Sequence, residues 1–188
     1  MNALEWRDDW ADALDQWQAV LRQTDWHPLP LAAAYALAAL LCLRAAATAR
    51  RAGLGGLGWA AGGALLACLA ADTLLRLDLL AVYMMRDLAL EADWYADRRA
   101  VQVEVLAAVA AALGLAVALH PPRRVVLGVG AVTGFLMLAL VGAMRWVSLH
   151  QTDIVLALRL ADAPLGRVVE WAGLALVLRG AMHWLRSR

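Results

Sequence analysis

The side chains of this chain that can do chemistry crowd toward the ends of its apolar segments. Asp72, Arg76, Glu104, Arg145, Arg167 and Glu170 each stand near the boundary of an uncharged run, and the alternation of those runs brings them to one end. An ionisable group at that depth is expensive unless paired or hydrated, and by default it marks a functional site. The set is balanced, three acids to three Arg. Two readings follow: salt bridges between helices with side chains snorkelling to the boundary, or a hydrated pocket for a polar ligand, ion or lipid head group.

The chemistry of such a pocket depends on which neighbours join it. Residues 94–104, WYADRRAVQVE, form the densest polar and aromatic run at a boundary. Helical spacing puts Trp94, Arg98 and Gln102 on one face, with Tyr95 and Arg99 on an adjoining one. Arg98, Arg99 and Arg145 suit bidentate capture of a phosphate or carboxylate, with Trp94 and Tyr95 at head-group level. The expected binding set is therefore Asp72, Arg76, Trp94, Tyr95, Arg98, Arg99, Gln102, Glu104 and Arg145.

Catalysis is the alternative, with His150 as general base, Asp153 or Glu170 orienting it and an Arg stabilising negative charge. Ser148 lies two residues from His150 and points elsewhere on a helix, so no Ser–His dyad is expected. A cation site of Asp72, Glu104 and Glu170 is opposed by the three Arg. No cofactor is predicted. The minor alternative is haem b, because His27 and His150 fall at one boundary and His120 and His183 at the other. Against it, His27 and His120 each precede a Pro at a span end, where a polar residue needs no special reason.

The elements that must position these groups are membrane helices. Of 188 residues 63% are hydrophobic, and 17 Arg stand beside no Lys. A soluble domain of this size needs more polar surface. Runs of roughly 20 apolar residues, enough to cross the hydrocarbon, fall at about 29–49, 54–75, 101–119, 125–146 and 168–185, the last interrupted by Glu170 and Arg179. Gly and Pro are absent between Gly63 and Gly114, so the second helix is expected to continue past Asp72, pairing it with Arg76 four residues on, and to turn near 86–94. Thr152 or Asp153 is expected to cap a short helix over 154–160, with Pro164 opening the fifth span. Cys42 and Cys68 read as small core residues, not a disulfide or metal pair.

Trp6, Trp10, Leu14, Trp17 and Leu21 recur at helical spacing, so residues 1–26 form an amphipathic helix opposite Asp8, Asp9, Asp12 and Asp15. It rests on the membrane surface, caps the bundle or docks a partner. Gly58, Gly62 and Gly63, and Gly128, Gly130 and Gly134, permit close packing within the monomer or between copies. The short turns carry Arg50, Arg51, Arg123 and Arg124, which the positive-inside tendency makes cytoplasmic. All 16 acids then lie outside.

The expected protein is all-α: a five-span bundle over residues 27–188 preceded by an interfacial helix. It sits in a bacterial inner membrane, N-terminus outside and C-terminus cytoplasmic, and binds a polar or anionic ligand, lipid head group or partner protein. Membrane lipid and a homo-oligomer or larger membrane complex are the expected partners, and nucleic acid is not.

Overall fold

The computed structural model describes residues 5–23, 28–91, 100, 101, 103–105, 107, 108, 111, 127–147, 156–160 and 163–188. They form an all-helical protein apart from one two-residue strand pair. Three helices are long and apolar enough to cross a membrane: α2 (Leu29–Arg51), α3 (Leu57–Leu75) and α5 (Val129–Val147). These correspond to the expected first, second and fourth spans. The expected third span falls mostly outside the described residues, although several positions between 100 and 111 are helical. The fifth exists as a helix, α6 (Leu165–Arg186), but Glu170 and Arg179 interrupt its apolar run and it is not among the three.

Helix α2 begins at Pro28 and Pro30, where a missing amide costs nothing, and carries Ala-rich sequence of high helix propensity. Leu31, Tyr35, Ala38, Cys42, Ala45 and Ala49 recur at spacings of three and four and are all buried, whereas Leu37 and Leu40 point outward. The small side chains on the inner face let α3 approach closely. The connection turns on Gly53 and Gly55, both at positive φ, a conformation other residues adopt only at a cost. A Cβ on Gly56 would strike the backbone of Ala46, and one on Gly63 would meet Ala39 and Leu43, so α2 and α3 form an antiparallel hairpin.

Helices α5 and α6 form a second antiparallel pair, in which Gly134 faces Gly173 and Val177 while Gly180 faces Ala131. Helices α3 and α5 run parallel, since Gly58 meets Leu127, Gly62 meets the Phe135 ring and Gly142 meets Leu69. Trp59 and Phe135 pack edge to face at 6.3 Å in the same seam. Gly58, Gly62, Gly63 and Gly134 are thus filled by the monomer's own packing, while Gly128 and Gly130 face open space. Cys42 is buried as expected. Cys68 is exposed on the surface of α3, a correction to its reading as a core residue.

Helix α3 does not continue past Leu75. Arg76 adopts φ 51°, ψ 45°, and a new helix, α4 (Leu77–Glu91), starts at once. Left-handed backbone costs a non-glycine residue about 1–2 kcal/mol, and polar bonds at the break offset it. Asp72 Oδ1 accepts the Asp78 amide at 2.9 Å, one of the orphan donors of α4's first turn. The Trp17 indole donates to the Leu75 carbonyl at 2.6 Å. That bond comes from α1 (Glu5–Gln23), which packs on α4 and also receives Arg86 on Gln16 at 3.4 Å. Ala13 on the packed face is fully buried, while Asp12 and Asp15 are exposed. The Trp6 and Trp10 side chains lie outside the described residues.

Trp17→Phe keeps an aromatic, though smaller, side chain and deletes the donor. The expected loss is about 0.5–1.5 kcal/mol, read as faster amide exchange over residues 5–23 and 77–91. Unchanged exchange there would show that the indole bond does not hold α1.

Ahead of α6 the chain forms a two-residue antiparallel pair, Arg159–Leu160 with Ala163–Pro164. The expected helix over 154–160 therefore stops short of Arg159, because Leu158 O accepts the Leu165 amide and closes a turn instead. Pro164 caps α6 with extended backbone, next to its expected place in the first turn. Thr152 and Asp153 lie outside the described residues.

Candidate functional site

The α3–α4 break places an ionic cluster where four helices meet. Arg145, near the C-terminal end of α5, is its hub. Its guanidinium stands 3.1 Å from Glu170 of α6, 3.5 Å from Asp78 of α4 and 3.7 Å from Asp72 of α3. A planar guanidinium can serve carboxylates arriving from different directions, which a lysine ammonium does less well. Tyr35 of α2 donates its hydroxyl to Glu170 Oε1 at 3.2 Å, and Arg167 reaches Glu170 Oε2 at 3.3 Å from one turn earlier in α6. Arg76 Nε lies 3.6 Å from Asp78 Oδ1.

Burial divides these groups into two layers. The side chains of Asp72 and Glu170 are 4% and 5% exposed, Asp78 12% and Arg145 21%. Arg76 and Arg167 are 35% and 44% exposed. Three acids and one guanidinium therefore form the buried part, and two further guanidiniums stand at its edge. Within the buried part Asp78 Oδ1 and the buried Arg76 Nε face each other at 3.6 Å without closing a hydrogen bond, and Asp72 has Arg145 and the Trp146 side chain as neighbours.

Of the groups expected to converge, Asp72, Arg76, Arg145, Arg167 and Glu170 do so. Glu104 is exposed and is not among the cluster's ion pairs. Asp72 and Arg76 do not pair on one helical face as expected. The left-handed turn takes Arg76 off the face of α3 and hands it to Asp78, while Asp72 turns to Arg145. Glu170 is engaged by Tyr35, Arg145 and Arg167 together. Trp94, Tyr95, Arg98, Arg99, Gln102, His150 and Asp153 lie outside the described residues, as do His27 and His120. His183 is exposed on α6, away from the packed core that an inter-helix haem would require. Among the described residues no group of His, Cys, Asp and Glu is arranged to hold a metal ion.

Two members escaped the sequence reading. Asp78 is six residues beyond Asp72 and looks like an ordinary boundary acid if the helix is continuous. Its role becomes visible only with the break, when it enters the first turn of α4, where a carboxylate is favoured. Tyr35 had a local signal, being the only hydroxyl-bearing aromatic in the first apolar run. In hydrocarbon a phenol needs an acceptor, so an acid on another helix was to be sought.

The fold and this cluster define a helical protein with three candidate membrane spans and a buried ionic network at one end of its bundle. Comparison with protein-family models, curated proteins and solved structures finds no match to the chain.

Proposed function

We propose that this is a five-span protein of a bacterial inner membrane that binds a polar or anionic ligand at its outer face, a lipid head group above all, through Arg76 and Arg167. The observation that carries this is the layering of the cluster. Two partly exposed guanidiniums are anchored, through Asp78 and Glu170, to one buried network. Anchored cations at a boundary are pre-organised for a phosphate or carboxylate, which lowers the ordering cost of binding. Arg145, with carboxylates from three helices around it, serves this site as scaffold.

The five-span reading is supported by strand-of-chain geometry. Helices α3 and α5 run parallel, so the end of α3 and the start of α5 lie at opposite ends of the bundle, an arrangement that a third span over 101–119 accounts for. Helix α6 packs antiparallel along α5, so it covers the same depth. The basic turn at Arg50 and Arg51 then lies at the end opposite the cluster, and the positive-inside tendency makes that end cytoplasmic.

The test is lipid binding by the full chain in detergent, followed by native mass spectrometry against lipids bearing phosphate. Arg76→Ala with Arg167→Ala is expected to weaken retention about tenfold or more, as loss of charge-assisted bonds implies. Arg179→Ala, at the opposite end of α6, leaves it unchanged. Equal retention by wild type and the double variant overturns the reading. Were the site instead an enzyme working through His150, His150→Ala would abolish turnover and spare binding.

A further inference from the structure

We infer that the ligand preferred at this site is zwitterionic, an amine joined to a phosphate, rather than one with a net negative charge; this rests on the proposed phosphate-binding role of Arg76 and Arg167. The first observation is the charge count of the cluster. Asp72, Asp78 and Glu170 stand against Arg76, Arg145 and Arg167, so the ionised set is already neutral. A net anion brought to it would leave uncompensated charge at a low-dielectric boundary, and a zwitterion does not.

The second observation is how that charge is distributed. The buried layer holds three acids against one guanidinium, and the shallow layer holds the other two guanidiniums. A ligand with one cationic and one anionic end matches this polarity. Its phosphate meets Arg76 and Arg167, and its amine is drawn toward the acids.

The third observation identifies the kind of cation. Asp72 Oδ2, at the end of α3, and Asp78 Oδ1, at the start of α4, are buried acceptors whose protein neighbours, the Trp146 side chain and Arg145 at Asp72 and the buried Arg76 Nε at Asp78, leave hydrogen-bonding capacity unused. Arg145 and Arg76 stand 3.7 and 3.6 Å from them, close enough for attraction and too far for good hydrogen bonds. Buried acceptors of this kind call for a donor. A primary ammonium offers three N–H groups, a trimethylated ammonium offers none, and a glycerol head group offers only neutral hydroxyls. Both oxygens flank the Arg76 break, whose own guanidinium is one of the two proposed phosphate contacts, so the short linker of an ethanolamine phosphate suits the arrangement.

The experiment compares phosphatidylethanolamine, phosphatidylcholine and phosphatidylglycerol on the wild-type full chain by native mass spectrometry, so it does not depend on any variant folding. Phosphatidylethanolamine is expected to be retained about tenfold over each of the others, the worth of one charge-assisted hydrogen bond. Asp78→Asn is expected to erase its advantage over phosphatidylglycerol. Soluble phosphoethanolamine should displace the bound lipid where inorganic phosphate does not, if the head group alone is recognised; displacement by neither assigns recognition to the intact lipid and keeps the amine preference. Equal retention of phosphatidylethanolamine and phosphatidylglycerol, still lost in the Arg76→Ala, Arg167→Ala protein, overturns the amine inference and leaves the phosphate site standing. Equal retention of all three lipids, indifferent to that double variant, overturns both.

Discussion

Arg145→Met is expected to lower the unfolding free energy of the purified protein by about 3–5 kcal/mol, the range for removing one partner from a buried ionic pair. The reason is what remains. Asp72, Asp78 and Glu170 keep their burial and lose the cation that all three face. Methionine matches the length of the arginine stem, so packing changes little and charge changes most. Adding Glu170→Gln should restore part of the loss, because one of the stranded carboxylates is then neutral and still accepts from Tyr35. Chemical unfolding in a mild detergent, with helix content as the signal, measures both variants. A loss below about 1 kcal/mol, the ceiling usual for exposed pairs, would mean that the network is solvated and that Arg145 is no hub.

The second large effect concerns the seam between α5 and α6. A Cβ on Gly134 would sit 2.6 Å from the carbonyl oxygen of Gly173 and 2.8 Å from a methyl of Val177. The oxygen belongs to the backbone and cannot rotate away, so the helices must separate. Gly134→Val is expected to cost about 1–3 kcal/mol as overpacking, and more if α6 detaches. Gly130 lies one turn earlier on the same helix with open space around its Cβ direction. Gly130→Ala should therefore be neutral, or stabilising by roughly 0.4–1 kcal/mol through the lower entropy of the unfolded chain. Thermal unfolding of the two variants side by side reads this contrast. If both behave alike, the α5–α6 seam is not packed through Gly134.

The same pair of glycines shows how far a single sequence reaches. Gly128, Gly130 and Gly134 look equivalent along the chain, each allowing close approach on an apolar helix. Only a neighbour's backbone distinguishes them, and that neighbour is α6, which begins 31 residues after Gly134. The cluster behaves likewise. Asp72, Arg145 and Glu170 were legible because each is a charge at the edge of an uncharged run, where the membrane exacts a cost that one residue reveals. Glu104 carries the same local signal and does not join them. A boundary charge announces depth along its helix and says nothing about the direction in which that helix turns it.

Helical class, membrane-compatible length and the shared level of Asp72, Arg145 and Glu170 were legible in the sequence alone, since they depend on composition and periodicity within segments of about 20 residues. The break at Arg76 was decided only by tertiary structure. No Gly or Pro marks it, and a left-handed arginine persists there because Trp17 bonds the Leu75 carbonyl, Asp72 accepts the Asp78 amide and Asp78 pairs with the Arg76 guanidinium. With the break come the transfer of Arg76 to Asp78, the turn of Asp72 toward Arg145 and the layering of buried acids beneath two partly exposed guanidiniums. Those are contacts between helices, set by packing angles that no one helix encodes.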